Sequence, residues 1–316
     1  VMCNNNILSF SPEKSRSNSY FLSFYEESEC IAEEFIEGTM INLFYDKEIN
    51  KWEIATKSSI GGYIKYFKDQ KNFNKLFYEV CEKNKIDIDV FSKEYCYSFV
   101  MQHPDNRFII PNIEMRLYLI SIYQIDNDNN KINEIPKMYY NMITLPNNLY
   151  YPYCHIITSY PELINYYGSM NTNISIMGIV IRHMNGDRTK IRNPNYEYLK
   201  KLKGNSPKLQ YQYLELYKKN KVNEFLKYFP EHKDKFLIFK EQLFEYTNTL
   251  YQNYISCYIK HVKEVKEYDF QYKIHMYNLH QIYLQKINVT EGNFYINKFQ
   301  VIKYLNSLDT SQLMYA

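Results

Sequence analysis

The feature that most limits the fold of this chain is a change of hydrophobic period near Pro194. Before it, apolar residues recur at every second position in short runs. After it, they recur at steps of three and four. Side chains alternate across a strand but share a helix face every third or fourth residue. The chain therefore asks for a sheet-rich portion followed by a helical one.

In the first portion, Ile41, Leu43 and Tyr45 share a face, Asp46–Asn50 is a polar turn and Trp52–Thr56 returns, which predicts a hairpin over residues 39–57. Phe73, Leu76, Phe77 and Val80 predict a helix over 72–85. Tyr95–Gln102, Arg107–Ile110, Met115–Ile125, Ile174–Arg182 and Thr189–Arg192 read as strands, and the third of these, apolar on both faces, reads as central. Asp126–Pro146, polar and Asn-rich, reads as a long surface loop. Short turns with few crossover helices indicate an antiparallel α+β domain. Beyond Pro194, helices are expected over Pro207–Tyr217, Val222–Phe229, Lys233–Val262, Phe270–Leu284 and Lys298–Leu308. The expected domains are residues 1–204, α+β, and residues 205–316, all-helical.

Charge separates the same two regions less sharply. The whole chain has 38 Lys+Arg against 35 Asp+Glu, too balanced for a field demanding a polyanion. Residues 182–240, however, hold 15 Lys/Arg and 6 Asp/Glu, with tyrosines interleaved. Cations neutralise phosphates and rings stack on unpaired bases, so this stretch favours RNA; solvated helix lysines are the bland alternative. Aromatics at 17% and apolar residues at 45% exclude disorder. Tyr, Asn, Ile, Lys and Phe are over-used, as in an AT-rich genome. Six cysteines stand singly, without a CxxC pair, which suggests a reducing compartment. There is no apolar run of about 18 residues and no signal peptide, so no membrane is expected. Val1 and Ala316 read as cropped ends of a longer polypeptide.

Covalent nucleotidyl transfer needs a lysine, neutral at the moment of attack, beside a tight glycine turn, with carboxylates for a metal and cations for the α-phosphate. Five elements fit that plan in order. They are Pro12-Glu13-Lys14; Phe35-Ile36-Glu37-Gly38-Thr39, followed by a strand and Thr56-Lys57-Ser58-Ser59-Ile60; His103-Pro104-Asp105-Asn106-Arg107-Phe108-Ile109-Ile110-Pro111; Met177-Gly178-Ile179-Val180; and Lys190-Ile191-Arg192-Asn193-Pro194-Asn195-Tyr196. Any one is weak, and residues 33–38 alone would be an ordinary strand ending in a turn glycine. The ordered set, over residues 12–196, resembles phage-type RNA ligases of the tRNA-repair kind, including degenerate members in large cytoplasmic DNA viruses. The resemblance implies an antiparallel-sheet nucleotidyltransferase domain, an RNA partner, and ATP or GTP with Mg as cofactors if activity is retained. It also implies a cytoplasmic protein, in a viral factory or a virion.

The departures are as specific as the matches. Phe35 stands where the nucleophilic lysine belongs, and a benzyl side chain forms no phosphoramidate. Met177 replaces the glutamate of E-G-x-V, and Tyr97–Val100 offers no glutamate for the third element. Glu37, Gly38, Lys57, Arg107, Lys190 and Arg192 are retained. They are expected to line one nucleotide- or phosphate-binding pocket, with Phe35 filling the space of the lost lysine. Lys190 and Arg192 alternate on a strand and so share a side; a solvated sheet face is their bland reading. His103 reads as a turn residue. The pairs Cys257/His261 and His275/His280 lack the partners of a zinc site, and no metal is expected. Three readings follow: a pseudoenzyme binding RNA or nucleotide without ligation; an active RNA ligase or capping-type enzyme using a displaced lysine (Lys14, Lys57 or Lys190); or a scaffold in a viral or multi-subunit assembly with protein partners.

Overall fold

The computed structural model describes residues 1–65, 71–111, 113–287 and 294–315. It divides into two compact units, Val1–Leu202 and Lys203–Ala316. The first carries all twelve strands among the described residues: β1 (Met2–Cys3), β2 (Asn6–Ile7), β3 (Cys30–Glu34), β4 (Thr39–Asp46), β5 (Lys51–Thr56), β6 (Ser59–Ile60), β7 (Tyr95–Gln102), β8 (Arg116–Asp126), β9 (Lys131–Glu134), β10 (Cys154–His155), β11 (Gly178–His183) and β12 (Arg188–Arg192). One antiparallel sheet runs β6-β5-β4-β7-β8-β9 and a second runs β10-β3-β11-β12. With helices throughout, the fold is α+β, as the alternation of apolar residues indicates.

The six-stranded sheet grows from the predicted hairpin. Tyr45 pairs with Trp52, their rings edge to face at 5.3 Å, and Asn50 turns the chain at φ 51°, a conformation asparagine tolerates. The helix Phe73–Lys83, capped by the Asn72 side chain on the Lys75 N–H, buries Leu76, Phe77 and Val80 in the same core as Ile41, Leu43, Phe99 and Leu119. The four-stranded sheet packs Ala32, Ile179, Ile181 and Ile191 against Phe21, Tyr160 and Leu163, from two short helices over Asn18–Phe24 and Tyr160–Tyr167. Residues 35–38 carry the chain from one sheet to the other. Ile36 anchors that crossing among Val100, Tyr118 and Ile120.

Several expectations fail for identifiable reasons. Arg107–Ile110 is not a strand: the N–H groups of Ile109 and Ile110 are taken by the Glu37 carboxylate instead of a ladder. The 126–146 stretch is not all loop, since β9 pairs with β8 and Tyr140 is buried with its hydroxyl on the Ile122 N–H. The strand expected from Ile174 begins at Gly178.

In the second unit, helices cover Leu209–Lys218, Val222–Tyr228, Lys233–Tyr254, Phe270–Ile287, Lys298–Ser307 and Thr310–Met314. The long helix, expected to reach Val262, passes into a π turn over Ile255–Ile259, and His261 leaves it at φ 52°. Phe225, Phe236, Leu250, Met276, Leu279 and Val301 are fully or almost fully buried. His275 and Asn278 hydrogen-bond the Tyr304 hydroxyl, at 2.7 and 3.0 Å.

Candidate functional site

The pairing of β3, β11 and β12 decides what surrounds position 35. Val180 is paired with both Glu33 and Lys190. One rung further, the same register sets Phe35 opposite Gly178, which is paired with Arg192. Residues two apart on a strand share a face. Phe35, Glu33, Lys190 and Arg192 therefore project from the same side of this sheet. Gly178 has no side chain to separate the ring from β12. A Cβ there would lie 2.1 Å from the Ile191 carbonyl oxygen, so the close approach of the strands itself requires glycine. The Lys190 Nζ sits 4.4 Å from the centroid of the Phe35 ring, and the Arg192 guanidinium carbon sits 5.9 Å from it.

Lys190 is half-buried and makes no hydrogen bond or ion pair among the described residues. Burial, then the neighbouring Arg188 and Arg192 charges, lower its amine to about 8. Arg192 reaches Glu197 at 3.0 Å. The two cations line a hollow of about 430 Å³ with Lys14, Ser15, Arg16, Ser17 and Asn18. Phe35 lines a separate cleft of about 630 Å³ together with Glu34, Glu37, Met177, Gly178 and several aromatic side chains. Phe35 thus lines the aromatic cleft while its ring lies against Lys190, which lines the cationic hollow.

The remaining expected residues have other placements. Glu37 is buried, and its carboxylate accepts the N–H groups of Ile109 and Ile110, each at 3.0 Å. Burial, and then this carboxylate facing it, push the Tyr196 phenol up. Gly38 lets the crossing meet β7: a Cβ would fall 2.4 Å from the Met101 carbonyl oxygen. Arg107 folds back on the Ile109 carbonyl, at 3.1 Å from both Nε and Nη2. Lys57 is exposed in the turn between β5 and β6, at the sheet end where β4 begins. It lines neither the hollow that Lys190 and Arg192 share nor the cleft that Phe35 lines. The structure therefore brings Phe35, Lys190, Arg192 and Lys14 together and sets Glu37 in the cleft with Phe35, while Lys57 lines neither cavity.

Two polar assemblies form only in the fold. Glu33, buried beside the site, is flanked by Lys137 at 2.6 Å and Arg182 at 3.1 Å, and Arg182 also reaches Glu134 at 3.2 Å. This network ties the two sheets. The second is Glu79, His103 and Asp105, whose ligand-type atoms lie within 4.8 Å of one another. Its centre is already filled by the Lys71 ammonium, 2.8 Å from Glu79 and 3.0 Å from Asp105. The buried His103 accepts the Asp105 N–H at Nδ1, which leaves Nε2 as the proton-bearing atom toward Glu79. This group pins a turn rather than offering metal ligands. Around Phe35, Glu37 is committed to backbone N–H groups and Met177 offers no carboxylate. Glu34 is a further carboxylate on the wall of the cleft beside Phe35.

In sequence, the chain is similar to the RNA ligase of Rhodothermus phage RM378, 31% identical over 102 residues, which cover 29% of this chain and 23% of that protein. No protein-family profile matches. Among solved structures, the chain is similar to a point mutant of the Naegleria gruberi RNA ligase without ligand (TM-score 0.42, 11% identity, covering 62% of this chain and 60% of that one). It is also similar to the Naegleria gruberi RNA ligase with pyrophosphate (TM-score 0.40, 10% identity, 64% and 63%). The chain thus spans less than two thirds of each of these proteins.

Proposed function

We propose that this protein is a degenerate RNA-ligase-like protein that binds RNA ends without forming a lysyl-nucleotide. The observation that carries the reading is the Phe35 ring in the nucleophile slot, with Lys190 and Arg192 over its face. The cations suited to a phosphate are kept, while the attacking amine and the carboxylate expected at Met177 are gone. Lys190 lacks an anionic partner among the described residues and lines the hollow with Lys14. A phosphate oxygen there would supply what the fold does not. Glu37, in this reading, has become a structural clamp on residues 109–110. The cytoplasmic, viral setting and the pseudoenzyme character belong to the same proposal.

The test is binding of a 5′-phosphorylated single-stranded RNA, titrated with salt. Neutralised phosphates give a linear fall of log affinity with log salt concentration. The double variant Lys190→Ala, Arg192→Ala is expected to flatten that slope and weaken binding. An affinity indifferent to salt and to both cations would overturn the reading.

One observation favours a second reading. The Lys190 amine, lowered to about 8, beside the slot of the lost lysine, has the character of an activated nucleophile. A labelled covalent nucleotide adduct that disappears in Lys190→Arg would select it.

A further inference from the structure

The cleft that Phe35 lines and the hollow that Lys190 lines differ in chemistry, and the difference identifies what each accepts. The hollow holds Lys14 and Lys190, which have no carboxylate partner among the described residues. The cleft has no such cation. Its Arg116 is engaged by Glu114 and by the Tyr118 hydroxyl, and Glu34 and Glu37 add negative charge to its wall. A polyphosphate gains nothing by entering it.

What the cleft does offer is aromatic surface. Tyr153 and Tyr166 line it, yet they stay 68% and 63% exposed. Both stand on fixed backbone. The Tyr153 carbonyl accepts the Glu34 N–H at 2.9 Å just before β10 pairs with β3, and Tyr166 closes the helix over Tyr160–Tyr167. Their inner neighbours, His155 and Tyr167, hold them edge to face at 4.8 and 4.7 Å. Exposed rings held rigidly around a cavity present flat faces at little entropic cost on binding, which is what stacking on an unpaired base requires.

We infer that the cleft takes an unpaired nucleobase of single-stranded RNA, stacked on Tyr153 and Tyr166, while backbone phosphate lies in the hollow that Lys190 lines, and that free nucleoside triphosphate is not its ligand. The inference rests on the RNA-binding reading above and gives it a chemical division: base in the cleft, phosphate in the hollow. Electrostatic complementarity disfavours the reverse arrangement, because Glu34 and Glu37 line the cleft and no aromatic side chain lines the cationic hollow.

The experiment is fluorescence anisotropy of the full chain with a labelled 5′-phosphorylated hexauridylate, with the same oligomer made abasic, and with ATP as competitor. Stacking on aromatic residues contributes on the order of 1–3 kcal/mol per base, or roughly 5- to 150-fold in affinity. Tyr153→Ala and Tyr166→Ala are each expected to weaken hexauridylate binding within that range, without changing its salt slope. Tyr153→Phe and Tyr166→Phe, which keep the ring, are expected to bind as the parent does. The abasic oligomer should bind the parent as weakly as hexauridylate binds the alanine variants, and ATP should not compete. The rings being exposed, unchanged melting temperatures will confirm that the variants fold. Equal affinity for the base-bearing and abasic oligomers, full affinity in the alanine variants, or displacement by ATP overturns the inference. If binding persists and still depends on Lys190 and Arg192, the RNA-binding reading survives these results. If no oligomer binds at all, both fall.

Discussion

Lys190 concentrates the chemistry of the site in one side chain. Its amine is lowered to about 8 because burial and the guanidinium groups of Arg188 and Arg192 disfavour the charged form. An oxyanion needs the ammonium, whose population falls as pH rises through about 8. Affinity for 5′-phosphorylated RNA is therefore expected to decline between pH 7 and 9, a decline absent in Lys190→Arg, whose guanidinium stays charged. Titration by anisotropy at constant salt checks this, and identical profiles for the two proteins would refute it. The sign for stability is opposite. Between about 8 and the ordinary lysine value the unfolded chain holds a proton that the folded chain has released, so this residue makes stability rise with pH there. A residue-scale prediction also attaches to Gly178. Its substitution by alanine drives a Cβ against the Ile191 carbonyl and is expected to cost about 2–4 kcal/mol in chemical denaturation.

At the scale of elements, the crossing 35–38 is held by what reaches it from elsewhere. Glu37 accepts two N–H groups from residues 109 and 110, and Gln102 donates to the Glu37 carbonyl. Changing Glu37 to Ala should speed hydrogen exchange at the Ile109 and Ile110 amides while leaving β4 protected; unchanged protection would show that the carboxylate does not hold the loop. The cross-sheet network predicts a larger effect. Removing the buried Glu33 leaves Arg182 and Lys137 short of their counter-charge and is expected to cost about 3–5 kcal/mol. These elements also show where the sequence was legible. The hairpin 39–57 and β7 were plain because alternation and an asparagine turn are local. Residues 107–110 misled because Phe108, Ile109 and Ile110 satisfy a strand pattern, while their hydrogen-bond partner lies some seventy residues upstream. Glu33 and Arg182 gave no signal, since their pairing exists only once β3 and β11 lie side by side.

For the whole molecule, the unit Val1–Leu202 holds three sheets and the unit Lys203–Ala316 only helices, with the change of period at Pro194 a few residues before the division, and the described residues contain no helix long and apolar enough to cross a membrane. The motif order of this chain resembles that of RNA ligases, and in the proposed reading the reacting amine is absent from it. The most direct test is incubation with labelled ATP or GTP and magnesium or manganese, followed by denaturing electrophoresis. The account predicts no covalent label on the protein at any pH between 6 and 9. An acid-labile protein–nucleotide adduct would contradict it.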